Sequence, residues 1–125
     1  MNIVIVDNDR SLLRSLELSL SRDGHAVTVF SDPRRALFHF VRKNPADVLL
    51  LDYSMPEMNG DELVEMLRAE LPAGCRIVMM SAHFDLDHRI DAKRLGIRAL
   101  LRKPLNLAKL RNAISAHTQK QGVTP

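Results

Sequence analysis

Leu49-Leu50-Leu51-Asp52-Tyr53-Ser54-Met55-Pro56-Glu57-Met58-Asn59-Gly60 is the stretch on which the reading of this chain turns. The run from Val48 to Leu51 has no polar side chain, so it reads as a strand buried on both faces. It ends in a single carboxylate, Asp52, after which Pro56 and Asn59-Gly60 break the backbone into a loop. A buried parallel strand that delivers an acid to its carboxyl end is one way an open α/β sheet builds a site. The same acid could simply cap the turn that follows, so the rest of the chain has to decide between the two.

Working outward, one unit recurs: apolar strand, turn residues, amphipathic helix. The first strand, Asn2 to Val6, runs into Asp7-Asn8-Asp9. A helix with Leu12, Leu13, Leu16 and Leu20 along one side follows, and Gly24 stops it. The second strand, His25 to Phe30, alternates around Thr28 and is expected at an edge. Asp32-Pro33 starts a helix with proline at its first position. Ala36, Leu37, Phe40 and Val41 form its apolar side, and Asn44-Pro45 ends it. Beyond the central strand, Asn59 and Glu62 resemble a capping box, opening a helix with Leu63, Met66 and Leu67 at core spacing. Arg76 to Met80 is a fourth strand, ending in Ser81-Ala82-His83. A fourth helix is expected from about Asp85 to Leu95, closed by Gly96. Arg98 to Leu101 is a fifth strand leading to Arg102-Lys103-Pro104. A last helix runs from about Leu107 to His117 with Leu110 and Ile114 facing in. The domain is expected over 1–118, with 119–125 a polar tail or the start of a linker.

Five strand–helix units predict a doubly wound α/β fold: a five-stranded parallel sheet of flavodoxin-like (βα)5 type, strand order 2-1-3-4-5. At 125 residues the chain makes one domain. A net charge of +3, from 18 basic and 15 acidic residues with few aromatics and no Trp, is no nucleic-acid footprint. No apolar run reaches the roughly 20 residues of a membrane span, and the opening lacks a signal-peptide pattern. Cys75, the only cysteine, reads as a small core filler rather than a nucleophile, which suits a reducing cytoplasm.

In this strand order the polar residues Asp7, Asp52, Ser81 and Lys103 fall on one sheet edge, with Asp7 and Asp52 either side of the switch point. Two carboxylates brought together repel unless protonated or bridged by a cation. A hard divalent ion such as Mg²⁺ suits oxygen ligands with several waters kept. A lysine and a hydroxyl beside them can hold the oxygens of an anion, making a site able to receive a phosphoryl group.

These pieces resemble the receiver domain of two-component response regulators over essentially the whole chain. They are Ile5-Val6-Asp7-Asn8-Asp9, Leu51-Asp52 through Gly60, Met80-Ser81-Ala82 and Lys103-Pro104, in order and each at a strand end. The resemblance implies that Asp52 is the phosphoacceptor, taking its phosphoryl group from a phosphohistidine on a sensor histidine kinase or phosphotransfer protein with Mg²⁺ bound. It implies a metal site of Asp7, Asn8, Asp52 and the backbone carbonyl of Ser54. It also implies that Ser81 binds the transferred phosphoryl and Lys103 pairs with it, with a cis peptide before Pro104. Output would pass through the surface of helix four, strand five and helix five to a downstream protein target or effector domain, and the same surface admits a homodimer. Direct nucleic-acid or membrane binding by this domain is not expected, nor is enzymatic turnover beyond slow autodephosphorylation.

Three positions depart from the pattern. Asn8 stands where many receivers have a second acid, which would weaken Mg²⁺ by about 1–3 kcal/mol at an effective dielectric near 20. Asp9 could compensate for the missing charge, but its plainer role is the N-cap of the first helix. Leu100 replaces a frequent aromatic that reports the phosphorylated state, so the readout is expected to be altered or damped, and Leu105 replaces a frequent Phe as a core substitution. Ser54 and His83 flank the path of the hydrolytic water in the family, and His83 reads equally as an exposed loop histidine with no role. Arg89, Lys93, Arg94, Arg98, Arg102, Lys109 and Arg111 give the output side a basic series, read as mostly solvated surface charge, with docking to an acidic partner or a second copy as the lesser alternative. With no effector domain after the last helix, the chain is expected to be a single-domain regulator or an excised receiver. Two other readings compete: a receiver-like interaction module that does not cycle phosphate, and a haloacid-dehalogenase-type phosphatase using Asp7 as nucleophile.

Overall fold

The computed structural model describes residues 1–82 and 91–123, with side chains of the last helix described as far as residue 115. Five parallel strands, β1 (Asn2–Val6), β2 (Ala26–Phe30), β3 (Val48–Asp52), β4 (Arg76–Ser81) and β5 (Ile97–Arg102), form one sheet in the order β2-β1-β3-β4-β5. The described helices are α1 (Arg10–Arg22), α2 (Pro33–Val41), α3 (Gly60–Leu67), α4 (Ala92–Leu95) and α5 (Leu107–Val123). This is the doubly wound arrangement expected from the strand–helix alternation.

β3 sits at the centre and is buried along its whole length. Its side chains alternate between two cores, as the pleat requires. Leu49 and Leu51 join Val4, Val6, Ile77 and Met79 under α2, α3 and α4. Val48 and Leu50 join Ile3, Ile5, Val78 and Met80 under α1 and α5, where Leu13, Leu16, Leu20, Leu110 and Ile114 pack. Each fully buried Leu or Ile contributes about 1.5–3 kcal/mol, and a polar replacement on either face of β3 loses that and adds the cost of an unpaired buried polar group.

Local chemistry sets the helix ends. Asp9 caps α1, accepting the N–H groups of Ser11 and Leu12 at 3.0 and 3.1 Å. Asp32 caps α2 through the N–H of Arg34, with Pro33 in the first turn. The Glu62 carboxylate accepts the Asn59 N–H at 2.8 Å, the reaching-back half of a capping box. Gly24 and Gly96 both take the left-handed conformation that ends a helix.

Several expectations need correction. Val41 is 47 % exposed and Met66 46 % exposed, so neither belongs to the core; Val64 does. Val41 is the last residue of α2, which ends there rather than at Asn44-Pro45, and the chain turns away at Lys43 with a positive φ of 63°. The orientation of α3 follows from how Gly60 seats on β3 (below), which turns Val64 inward in place of Met66. β5 is longer than expected, and a register slip opposite Ile77 and Val78 inserts Arg98 as an extra residue. Ile97 and Leu100 therefore lie on one face while Ala99 and Leu101 lie on the other. α5 continues to Val123, beyond His117. Most of the expected fourth helix, Asp85 to Ile90, lies outside the described residues, as does His83. Cys75 is partly buried against one core, and burial pushes its thiol up to about 11, in keeping with a filler.

Candidate functional site

β1 hands the chain to Asp7, which is 0 % exposed. Its N–H donates to the carbonyl of Phe30, the last residue of β2, at 3.1 Å. One of its carboxylate oxygens, Oδ1, accepts the Asp9 N–H at 2.8 Å, so the Asp7-Asn8-Asp9 turn folds back on its own first residue. The other, Oδ2, faces the Lys103 Nζ at 2.7 Å. Asp52 ends β3, also buried, and the same ammonium lies 3.2 Å from its Oδ1. Lys103 follows β5, and its N–H donates to the Ser81 carbonyl at 2.9 Å, tying the end of β5 to the end of β4. The peptide between Lys103 and Pro104 is cis.

The structure thus brings Asp7, Asp52, Ser81 and Lys103 to one sheet edge. Asn8 and Ser54 lie beside them on exposed loop positions. Ser54 forms an isolated antiparallel bridge with Asn59, which closes the loop after β3.

Charge at this edge is out of balance. Two buried carboxylates share one ammonium. Burial, then the neighbouring charge of Asp7, raises the Asp52 carboxyl above its ordinary range, against the opposing pull of Lys103. Burial pulls Lys103 down, but hydrogen bonding and attraction from Asp7, then Asp52, outweigh it and hold the ammonium above its ordinary value. With both acids ionised the cluster carries one net negative charge, which makes it a receiver of cations. Among the described residues no group of three or more His, Cys, Asp or Glu side chains could hold a metal ion. The donors on offer are two carboxylates supplemented by amide and backbone oxygens. That set suits Mg²⁺, which keeps several waters, rather than a caged transition metal.

In the sequence Gly60 marks a loop and ends the receiver-like stretch that begins at Leu51, with no packing role apparent. It is buried at the start of α3, and its N–H donates to the Tyr53 carbonyl at 2.6 Å. A Cβ there would come within 2.5 Å of the Asp52 carbonyl oxygen. The one signal for it in the sequence is a glycine at the first helical position, where a glycine has no capping advantage to explain it.

The expected basic output series is partly committed elsewhere. Arg94 pairs with Glu65 of α3 at 2.7 Å and with Asp91 at 3.4 Å. Arg111 reaches Asp23, just past α1, at 2.8 Å. Arg89 lies outside the described residues.

A doubly wound α/β domain whose ligand edge carries two acids, a serine and a bridging lysine defines a narrow class of protein. Residues 3–115 match the response regulator receiver domain, and the chain belongs to that family of two-component signalling. It is 33% identical over 121 residues to the DNA-binding transcriptional regulator NtrC of Escherichia coli, covering 94% of this chain and 25% of that protein. It is 31% identical to the transcriptional regulatory protein PrrA of Mycobacterium leprae, covering 98% and 52%. The chain therefore spans a quarter to about half of the length of these relatives. Among solved structures, a receiver domain protein from Clostridium thermocellum superposes with a TM-score of 0.82 at 26% identity, covering 98% of this chain and 97% of that one. The response regulator TrrA of Thermotoga maritima, in complex with Mg²⁺-BeF, superposes with a TM-score of 0.79 at 19% identity, covering 92% and 96%. Receiver domains are phosphoacceptor signalling domains rather than turnover enzymes. No helix among the described residues is long and apolar enough to cross a membrane.

Proposed function

We propose that this chain is a phosphorylation switch with Asp52 as the acceptor, charged by the phosphohistidine of a sensor histidine kinase or phosphotransfer protein. The observation that carries this reading is the lysine ammonium lying 2.7 Å from Asp7 and 3.2 Å from Asp52, both buried at strand ends. An Asp52 carboxylate oxygen attacks phosphorus, the P–N bond to the histidine breaks, and the leaving imidazole takes up a proton. The product is an acyl phosphate on Asp52.

Mg²⁺ fits the donor set. Asp7 and Asp52, with the amide oxygen of Asn8 and the backbone carbonyl of Ser54, would hold it, and its charge would offset that of the incoming phosphoryl oxygens. The Mg²⁺-BeF complex of the structurally similar TrrA supports this reading. The match of residues 3–115 to the receiver domain counts against the haloacid-dehalogenase reading, which leaves Asp52 and the loop to Gly60 without a role.

Phosphorylation adds about −1.5 to −2 charges where one ammonium already serves two acids. Lys103 is drawn from Asp7 towards the phosphoryl oxygens, and the Ser81 hydroxyl can meet them. Because the Lys103 N–H holds the Ser81 carbonyl, the ends of β4 and β5 move together. Output then passes through the α4–β5–α5 side to a downstream target or effector domain. Leu100, partly buried against the core under α4, damps this step relative to an aromatic.

Intact mass after incubation with Mg²⁺ and a small phosphodonor tests the proposal. Wild type gains one phosphoryl group and Asp52→Asn gains none. Absence of any gain in folded wild-type protein at saturating Mg²⁺ would leave a non-cycling interaction module, the reading that Asn8 and Leu100 keep open. The Asn8 account predicts that Asn8→Asp tightens Mg²⁺ by about 1–3 kcal/mol, measured by calorimetric titration. Equal affinity in the two proteins rules out the account that the missing charge at position 8 weakens the metal.

A further inference from the structure

α2 carries a surface that neither the fold nor the phosphoacceptor site accounts for. Phe38 is 70 % exposed, more than any other large apolar side chain among the described residues, and Val41 one turn away is also exposed. A solvated helix face would carry Lys and Glu at these positions. Beside Phe38 lies an open groove of about 620 Å³ between α2 and the end of edge strand β2. Its floor is aromatic: the His39 ring lies 5.2 Å from Phe30 and 5.3 Å from Phe40. Burial holds the His39 imidazole below its ordinary pKa, so that floor is uncharged at neutral pH.

The rim is basic. Arg34, Arg35 and Arg42 line the groove with Phe38. Arg34 is committed to Asp32 and to Glu57 in the loop after β3. Arg35 and Arg42 have no ion pair among the described residues. Positions 34, 38 and 42 repeat every four residues, so Phe38 stands between Arg34 and Arg42, whose backbones are about 12 Å apart along the helix axis, and all three line the groove with Arg35. Exposed aromatics and arginines together are the composition of an interface centre.

The geometry points to the β2–α2 groove as a docking site for an acidic protein segment, one that seats a single large apolar side chain against Phe38 between flanking carboxylates. Carboxylates match the unpaired arginines because the guanidinium fork takes them in bidentate fashion. A polyphosphate chain is a weaker match, since two uncommitted guanidiniums and a net charge of +3 offer little to a nucleic-acid backbone. This site is distinct from the α4–β5–α5 output side.

The test uses the full chain and an array of acidic dodecapeptides in which one central position is Leu, Phe, Met, Ala or Lys. Peptides with Leu, Phe or Met are expected to be retained at least tenfold more strongly than those with Ala or Lys. Phe38→Ala and the double variant Arg35→Glu with Arg42→Glu each lose that retention at least tenfold. All three positions are exposed, and circular dichroism establishes that the variants fold. Backbone amide shifts on titration with the best peptide should fall in residues 30–44. Retention of no peptide, retention indifferent to the central residue, or retention unchanged in the variants overturns the proposal. So does stronger, Arg35- and Arg42-dependent binding of a single-stranded oligonucleotide.

Discussion

Lys103→Met should lower the unfolding free energy at pH 7 by about 3 kcal/mol, the lower end of what breaking a buried ion pair costs. Methionine keeps the apolar stem, so packing against Pro104 and its neighbours changes little and the loss is electrostatic. It leaves Asp7 and Asp52 buried with no ammonium between them. Their repulsion, added to burial, drives the Asp52 carboxyl further above its ordinary range, in the direction it already leans in the wild type. The sign with pH follows from proton counting. A carboxyl whose folded pKa is raised holds a proton that the unfolded chain has already lost, so stability falls as pH rises from the unfolded value, near 3.8, through the folded one. The deficit of Lys103→Met should therefore be small near pH 4 and grow towards pH 7, in urea unfolding curves taken across that range. Asp52→Asn in the Lys103→Met background should recover most of it, because a neutral amide removes the repulsion. A deficit independent of pH, or one that Asp52→Asn leaves untouched, would mean that Lys103 acts through packing.

The contrast between what was legible and what was not has a physical pattern. Features that depend on a few adjacent residues were readable: the four-residue apolar run of β3, the Asp9 and Asp32 caps, the left-handed glycines at 24 and 96. Parallel order and the sheet edge followed, because strand–helix alternation leaves few topologies. Assignments that depend on a neighbouring element were not readable. Helical spacing alone offers Met66 and Val64 equally to the core, and only the seating of α3 on β3 selects Val64. Alternation in β5 fails at Arg98, because the slip is a property of the β4–β5 pair and not of either strand. In the site, the residue types were legible and the wiring was not. Nothing local says that the Lys103 ammonium reaches Asp7, 96 positions earlier, at a shorter distance than Asp52. The basic series shows the same limit, since Arg94 and Arg111 read as free surface charges and are paired to Glu65 and Asp23.

Gly60→Ala should cost about 3 kcal/mol, the upper end of an overpacked site, because the obstruction is backbone. The added methyl would sit 2.5 Å from the Asp52 carbonyl oxygen and 3.0 Å from the Tyr53 Cα. The third close atom, the Met79 Cε at 3.1 Å, ends a flexible side chain and can swing aside; the other two cannot. Relief requires α3 to lift from β3, which stretches the 2.6 Å hydrogen bond from the Gly60 N–H to the Tyr53 carbonyl. Gly74→Ala is the comparison: it has a positive φ of 80° but nothing within 4 Å, so its cost is backbone strain alone, about 1–2 kcal/mol. Denaturant midpoints of the two variants separate steric contact from conformational strain. The Gly60 variant carries a second expectation that a purely structural glycine would not. Moving the Asp52 carbonyl re-aims the residue proposed to attack phosphorus, so phosphoryl uptake should slow in Gly60→Ala even at temperatures where it is fully folded. Uptake should be unchanged in Gly74→Ala, which lies in the loop before β4 and away from the site. Equal uptake rates in the two variants would mean that α3 can shift without disturbing Asp52, and that Gly60 serves packing only.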